Sequence, residues 1–428
     1  MKRKIISRLD AWKADPRRKP LIIQGARQVG KTFSILEFGK TRYNNLVYVN
    51  FESHTQASQI FSRDLEPERI INELSVFSRQ MIDPDDTLIF FDEIQACERA
   101  LTSLKYFCEG ATNYHIISAG SLLGVALHRD QFSFPVGKVM METLFPLDFE
   151  EFLWAMGRLD LADLIRNCYE KSLQMSLHDI ALDYYRLFMV IGGMPEVVLS
   201  YLKNGDNNLV SVIQKGILTS YLADMAKYAQ PSETTRIMAA FDSIPSQLAK
   251  TNPKFMYRQI KPGARAHEYE SAIHWLKCSG IVNICHRVSE GKLPLSVYAE
   301  PTFFKIYMAD TGLLHNHFGI PAHVMREERS DVDTIKGAIT ENFVCFSLVV
   351  NGYTPYYWES KGRAEVDFII QNKQGYVIPI EVKSSDNVRS KSLMRYFELY
   401  NPPYAIRVST KNFGSDSSIR SIPLYALF

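Results

Sequence analysis

The sequence predicts an α/β chain in several parts: a parallel sheet built around a phosphate-binding loop, a helical and winged-helix-like middle, and a further α/β domain at the C-terminus. Three observations predict it. Strand and helix patterns alternate through residues 1–150, a glycine-rich loop follows the first strand, and a strand–turn–strand block carrying Asp367, Glu381 and Lys383 lies near the end. Alternation of this kind implies a parallel sheet covered by helices.

The first strand is the apolar run Pro20 to Gln24. It leads into Gly25-Ala26-Arg27-Gln28-Val29-Gly30-Lys31-Thr32, which fits G-x-x-x-x-G-K-T without a mismatch, and the run Thr32 to Lys40 has helix-forming character. Strand, loop and helix together make a phosphate cradle, expected to span Gly25 to Phe33. Backbone N–H groups and the helix dipole both favour an anion there. Lys31 is expected to reach the β- and γ-phosphates of ATP, and the Thr32 hydroxyl to ligate Mg²⁺.

Thr87 to Glu93 reads TLIFFDE, a buried strand ending in two carboxylates. Open α/β sheets place ligands at that edge. Asp92 is expected to hold Mg²⁺ and Glu93 to polarise an attacking water; the plain alternative is a core strand with a solvated acidic turn. A further strand, Tyr114 to Ala119, ends at Gly120-Ser121. Ser121 is the candidate for sensing the γ-phosphate, or caps a helix over Leu122 to His128. Arg129 is a weak candidate for an arginine finger. The remaining strands of this part are expected at 46–52 and 143–146.

The balance of 49 Lys+Arg against 47 Asp+Glu in 428 residues leaves a formal charge of +2, so no global basic field points to nucleic acid. Six scattered cysteines, none in C-x-x-C, read as thiols in a reducing cytoplasm. No run of eighteen apolar residues occurs, so no membrane span is expected. The N-terminal stretch reads as an amphipathic helix with Ile5, Ile6, Leu9 and Trp12 on one face.

The expected domains are 1–150, a helical lid or bridge at 151–241, a winged-helix-like domain at 242–316 and a C-terminal domain at 326–428. In the second, helical spacing over Ile180–Ile191, Leu209–Tyr221 and Thr234–Phe241 is broken at Gly192-Gly193-Met194-Pro195. In the third, a helix at His267–Cys278 precedes strands at Ile281–Val288 and Leu295–Ala299, joined by a tight Glu290-Gly291-Lys292 turn. Lys254, Arg258, Lys261 and Arg265 would serve duplex binding. Eight Lys/Arg against five Asp/Glu between Lys254 and Asp310 fit an interdomain packing module as well.

Near the C-terminus, strands Glu365–Ile370 and Tyr376–Lys383 flank a Gly375 turn. Alternation puts Glu381 and Lys383 on one face, and hairpin pairing brings Asp367 toward it. Asp367 followed by Glu381-x-Lys383 is the pattern of the PD-(D/E)xK, restriction-endonuclease-like fold, with Glu341 on a helix over Ile335–Val349 as a further acid. Glu341, Asp367 and Glu381 would then hold a metal against a phosphate, and Lys383 would orient water. Lys361, Arg363 and Lys391 would contact phosphates. The alternative is a Glu381–Lys383 salt bridge in a sheet that only packs or binds.

GARQVGKT, VYVNFE (47–52), LIFFDEIQ (88–95), SAGSLLG (118–124) and LFPLDFEEFL (144–153) together resemble a group of bacterial and archaeal AAA+-type ATPases. GGMPE (192–196), KIYMADTGLL (305–314), GAITENFV (337–344) and EVDFII with IEVK resemble the uncharacterised domain usually fused behind that ATPase. The resemblance implies a P-loop NTPase core, a winged-helix-like middle and a nuclease-like C-terminal fold. It also implies nucleotide binding by Gly25, Gly30, Lys31 and Thr32, metal binding and hydrolysis by Asp92 and Glu93, and sensing by Ser121. Similar proteins often carry Gly-Arg where this chain has Gly137-Lys138, which puts an arginine finger, and activation between subunits, in question. The function expected is a cytoplasmic Mg²⁺-dependent ATPase coupled to a C-terminal domain acting on nucleic acid. A nucleotide-dependent switch or scaffold is the other reading. ATP is the expected ligand; nucleic acid and a second copy of the chain are candidate partners.

Overall fold

Every side chain of Thr87–Asp92 and of His115–Gly120 is buried, as central strands covered on both faces must be. These are β3 and β4 of a five-stranded sheet with β1 (Leu21–Gln24), β2 (Asn45–Asn50) and β5 (Met140–Thr143). The order is β2-β3-β4-β1-β5 and all pairings are parallel. Gln24 ends level with Gly120 and Thr143, and Asn50 level with Asp92. The computed structural model describes residues 1–121, 134–250, 253–325, 327, 329–360, 364–383, 391–416 and 418–428. They form two compact units, residues 2–145 with 278–280, and residue 1 with 146–277 and 281–428.

In the first unit, α1 (Ile5–Ala14) buries Ile5, Leu9 and Trp12 as the apolar spacing requires. The helix after the loop, α2 (Lys31–Arg42), starts at Gly30, whose φ of 93° marks a left-handed residue. The last strand lies three residues earlier than expected, over Met140–Thr143 instead of 143–146. Its partly exposed methionines hide it from a search for apolar runs. Leu144 still donates to the Gln24 carbonyl at 2.8 Å, and Pro146, lacking an N–H, cannot extend the pairing.

The second unit opens with a capping box: the Asp148 carboxylate accepts from Glu151 N–H at 2.9 Å, and Glu151 reaches back to Asp148 N–H. This accounts for the LDFEEFL block. Helices follow at Leu159–Lys171, His178–Ile191, Pro195–Asn204, Asn207–Tyr228 and Pro231–Leu248. An eight-stranded mixed sheet is built from β6 (Val282–Val288), β7 (Ala299–Met308), β8 (Tyr356–Glu359), β9 (Glu365–Gln371), β10 (Val377–Val382), β11 (Ala405–Ser409), β12 (Gly414–Asp416) and β13 (Ile419–Pro423). Its order is β12-β13-β11-β10-β9-β8-β6-β7.

The hairpin expected as a wing differs from expectation. Leu295–Tyr298 is a 3₁₀ turn and the second strand runs over Ala299–Met308, since Pro294 has no N–H to open a ladder. β6 pairs with β8 in parallel, so the hairpin and the 356–423 strands share one sheet. Gly291, at the expected wing tip, is buried under Tyr396, whose hydroxyl would stand 2.1 Å from an added Cβ. No helix among the described residues is long and apolar enough to cross a membrane.

The GGMPE and ADTG blocks meet. Cβ atoms on Gly192, Gly193 and Gly312 would lie 2.3, 2.0 and 2.3 Å from Asp310 Oδ1, Leu147 O and Ile191 O. Asp310 accepts from Gly193 N–H at 2.6 Å and caps the helix Thr311–Phe318 through Leu313 N–H at 2.8 Å. Burial pushes its carboxyl up to about 6 in spite of those donors. The folded state therefore holds this proton more tightly than the unfolded chain does, and Asp310 costs stability as pH rises from about 4 to about 6. Relative to Asp310→Asn, the wild type is expected to lose about 3 kcal/mol over that interval and to level off above it. Urea midpoints of the two proteins between pH 4 and 7 check this; a constant gap would refute it.

Candidate functional site

The end of β1, the loop and the end of β3 converge. Gly25 takes φ 147°, and a Cβ there would stand 2.1 Å from the Leu144 carbonyl oxygen, so only glycine fits. Gln28 and Gly30 also have positive φ, 67° and 93°, which curls the loop. Lys31, 7% exposed, turns its ammonium onto the loop itself, donating to the Gly25 and Ala26 carbonyls, both at 2.8 Å. Burial lowers it to about 8, against the pull of Glu93 and Asp92 and with the push of Arg27. A cation held by carbonyl oxygens in a dry loop suits a phosphate.

Thr32 Oγ1 donates to Asp92 Oδ2 at 2.9 Å. The same carboxylate oxygen accepts from Tyr48 OH at 3.0 Å and Asn50 Nδ2 at 3.4 Å, and Oδ1 accepts from Glu93 N–H at 3.1 Å. A hydroxyl and a carboxylate side by side suit Mg²⁺, which takes one or two protein oxygens and keeps waters and phosphate oxygens in its other positions. Thr32 and Asp92 are the residues that would hold it. Glu93 sits in the left-handed region, φ 49°. Burial raises its carboxyl above the usual range, and Gln95 Nε2 donates to it at 2.5 Å. Ser121 is buried one residue beyond Gly120, the β4 residue level with Gln24. Phe33 is 60% exposed at the start of α2. Arg129 and residues 122–128 lie outside the described residues. Lys138 is paired with Glu109 at 2.9 Å.

The C-terminal acids are arranged differently from expectation. β9 and β10 do pair antiparallel, with Ile380 opposite Phe368, so the next pair in that register is Glu381 and Asp367. Asp367 Oδ2 accepts from Val382 N–H at 2.7 Å. Glu381, 6% exposed, pairs with Lys383 at 3.1 Å and lies 3.9 Å from Arg407 Nε. Glu381 Oε2 and Arg407 Nε are both buried without a hydrogen-bond partner.

Glu341, however, faces Lys305, which is fully buried and bridges Glu341 at 2.9 Å and Glu365 at 2.6 Å. Tyr307 OH also donates to Glu341. Burial alone would lower the Lys305 ammonium; Glu341, Glu365 and Asp367 overturn that and hold it well above the ordinary lysine range. Burial, then Glu341, pushes the Asp367 carboxyl up to about 7, with Lys305 and the Val382 N–H opposing. Among the described residues no three acids, histidines or cysteines converge to hold a metal ion. The structure thus sets the Asp367 carboxyl in the field of Glu341, Lys305 and Glu365, pairs Glu381 with Lys383, and leaves Glu341 bound to an internal cation. Lys361 and Arg363 lie outside the described residues. Lys391 begins the helix Lys391–Tyr400. Lys254 is engaged by Glu359 at 3.4 Å, while Arg258, Lys261 and Arg265 are exposed.

Residues 17–153 match the AAA domain. An AAA-type P-loop domain therefore forms the N-terminal part of the chain, and the loop, Asp92, Glu93 and Ser121 all lie inside it. Residues 182–324 and 336–427 match two domains of unknown function, DUF8612 and DUF4143. No curated protein matches the sequence. Among solved structures, a Walker-type ATPase of Pyrococcus abyssi is similar at 16% identity and a TM-score of 0.45, over 74% of this chain and 95% of that one. The ORC2 protein of Aeropyrum pernix, solved as ADPNP and ADP complexes, is similar at 12% identity and a TM-score of 0.36, over 78% and 90%. At these TM-scores the likeness carries nothing further.

No role for Tyr48, Asn50, Gln95, Lys305, Glu365 or Arg407 follows from the motifs, although the first five stand inside the blocks VYVNFE, LIFFDEIQ, KIYMADTGLL and EVDFII. Tyr48 and Asn50 alternate on one face at the end of β2, and that polar alternation beside the Asp92 strand was the available signal. Lys31 gives a pH prediction for the AAA domain. With its ammonium at about 8 in the free protein, bound phosphates would raise it, so binding takes up a proton above pH 8. ATP affinity is expected to weaken by up to about ten-fold per pH unit from pH 8 to 9.5. Titration calorimetry in buffers of different ionisation enthalpy measures the uptake, and affinity that is flat over this range would contradict it.

Proposed function

We propose that the chain is an Mg²⁺-dependent ATPase whose nucleotide state governs a nuclease-like C-terminal fold that acts on nucleic acid. The observation that carries the ATPase half is the Thr32–Asp92 contact beside the buried Lys31. It joins a phosphate receptor, a metal-compatible oxygen pair and Glu93 at one sheet edge. In this reading the loop N–H groups and Lys31 hold the β- and γ-phosphates, and Ser121 senses the γ-phosphate. Glu93 accepts the proton of a water that attacks the γ-phosphorus; the bond from that phosphorus to the bridging oxygen breaks, and ADP leaves with the electron pair. Mg²⁺ bound at Thr32 and Asp92 would offset charge on the phosphate oxygens. Leaving the Gln95 bond would free Glu93 for this work.

For the C-terminal fold, Asp367 and Glu381 are the pair that would hold a metal, with Lys383 orienting water. Two carboxylates suffice for Mg²⁺ when phosphates complete its shell, and Glu381 Oε2, which accepts no hydrogen bond and has only Arg407 Nε at 3.9 Å, supports that use. A second reading is favoured by Lys305, which already pairs with Glu341 and Glu365: a nucleotide-dependent switch or scaffold that binds a partner without cleavage.

The test is one set of assays on the full chain with single- and double-stranded DNA and RNA, Mg²⁺ or Mn²⁺, with and without ATP. Lys31→Ala is expected to lose ATP hydrolysis by at least about 100-fold, and wild-type turnover in that variant would sink the ATPase. Metal-dependent cutting abolished by Lys383→Ala and Asp367→Ala is expected for a nuclease. Intact ATPase with no cutting of any substrate leaves the switch reading.

A further inference from the structure

Arg3 lies outside the loop motif, yet it grips the loop. It precedes α1, is 6% exposed, and forks: Nη1 donates to the Val29 carbonyl at 3.0 Å and Nη2 to the Phe145 carbonyl at 2.7 Å. Its platform is firm. Ile5, Leu9 and Trp12 bury one face of α1, Trp12 Nε1 donates to the Lys19 carbonyl at 2.8 Å, and Asp10 takes Arg42 of α2 at 2.7 and 3.3 Å.

Both carbonyls matter for the cradle. Val29 is the residue before Gly30, and the peptide between them is planar and trans, so its oxygen and its N–H point in opposite directions. Holding the Val29 oxygen toward Arg3 turns the Gly30 N–H away from Arg3 and so leaves that donor free of the guanidinium. Phe145 follows Leu144, whose carbonyl oxygen walls the start of the loop at Gly25. One guanidinium therefore ties the last turn of the loop to the segment that limits its first residue.

We propose that Arg3 is a positioning residue that pre-forms the phosphate loop for nucleotide, acting through the Val29–Gly30 peptide and not by touching ATP. The proposal rests on the ATP reading above. A lysine could keep the charge but not the fork, because one ammonium on a flexible stem does not reproduce two fixed parallel donors.

The experiment measures ATP affinity by calorimetry, and ATPase kcat and KM, for the full-length wild type, Arg3→Lys, Arg3→Met, Arg8→Ala and Leu9→Val, each checked for folding by circular dichroism. Arg8 is on the same helix in an exposed pair with Glu142, and Leu9 is a buried packing residue of α1. Arg3→Met is expected to weaken ATP binding about ten-fold or more. Arg3→Lys should fall between it and wild type, and kcat at saturating ATP should stay within about two-fold. Arg8→Ala should match wild type, and Leu9→Val should lower the melting temperature without changing affinity. Wild-type affinity in folded Arg3→Met, or in Arg3→Lys if the methionine variant does not fold, would overturn the proposal. So would an equal loss of affinity in Leu9→Val. A wild type that binds no ATP would instead overturn the function on which it rests.

Discussion

The contact between the Thr32 hydroxyl and the Asp92 carboxylate, 2.9 Å across, spans a whole strand, because β4 lies between β1 and β3. Strands spaced by nearly 5 Å put β1 and β3 about 9.5 Å apart. The gap closes because the loop carries the chain from the end of β1 into α2, which packs against β2, β3 and β4. That path needs the backbone of Gly25 to pass the Leu144 carbonyl where no Cβ fits. It also needs β5 to bring Leu144 there, through its N–H to Gln24. Register then does the rest: Asn50 ends level with Asp92, which lets two β2 side chains complete the carboxylate's hydrogen bonds. The site therefore depends on the parallel order of all five strands, although only two motifs mark it in sequence.

This explains what was legible beforehand. The loop, β3 and the place of Ser121 were readable because their chemistry is local: eight consecutive residues, or one strand and the carboxylates that end it. β5 was displaced because its pairing is set by Leu21–Gln24 and not by its own hydrophobicity; Met140 and Met141 are partly exposed. The supposed wing was misread for the same kind of reason. A helix followed by two strands looks alike whether the hairpin stands free or, as here, joins six further strands through β8. Gly291 suggested a tight turn, whereas it is glycine because Tyr396 packs on it.

The C-terminal acids show the limit of reading one sign of charge. Glu341, Asp367 and Glu381 stand out in sequence because carboxylates in apolar surroundings demand a cation. The cation for one of them is Lys305, a residue of β7 far from E-x-K in the chain, and it brings in Glu365 as well. A buried ammonium flanked by two carboxylates and near a third is tolerable only with close geometry, and removing either sign would strand the other. The cluster thus explains why KIYMADTGLL, GAITENFV and EVDFII occur together. Lys305, Glu341 and Glu365 form one electrostatic unit, and Asp310, in the first of these blocks, holds the Gly192-Gly193 crossing through the Gly193 N–H.

Backbone strain points the same way as the side chains. Five non-glycine residues among those described have positive φ: Gln28, Arg79, Glu93, Ser172 and Asn401. Arg79 and Ser172 are left-handed stops at helix C-termini, and Asn401 directly follows the helix Lys391–Tyr400, where such a conformation closes the last turn. Gln28 and Glu93 have no helix to end. One curls the phosphate loop and the other follows the Asp92 carboxylate at the edge of β3. A left-handed non-glycine residue costs on the order of 1 kcal/mol and persists where its surroundings over-determine it. At Glu93 those surroundings are visible: its N–H is held by Asp92 and its carboxyl by Gln95. The two strained residues that end no helix are thus one that curls the loop and one that follows the Asp92 carboxylate, so the backbone and the side chains single out the same edge of the sheet.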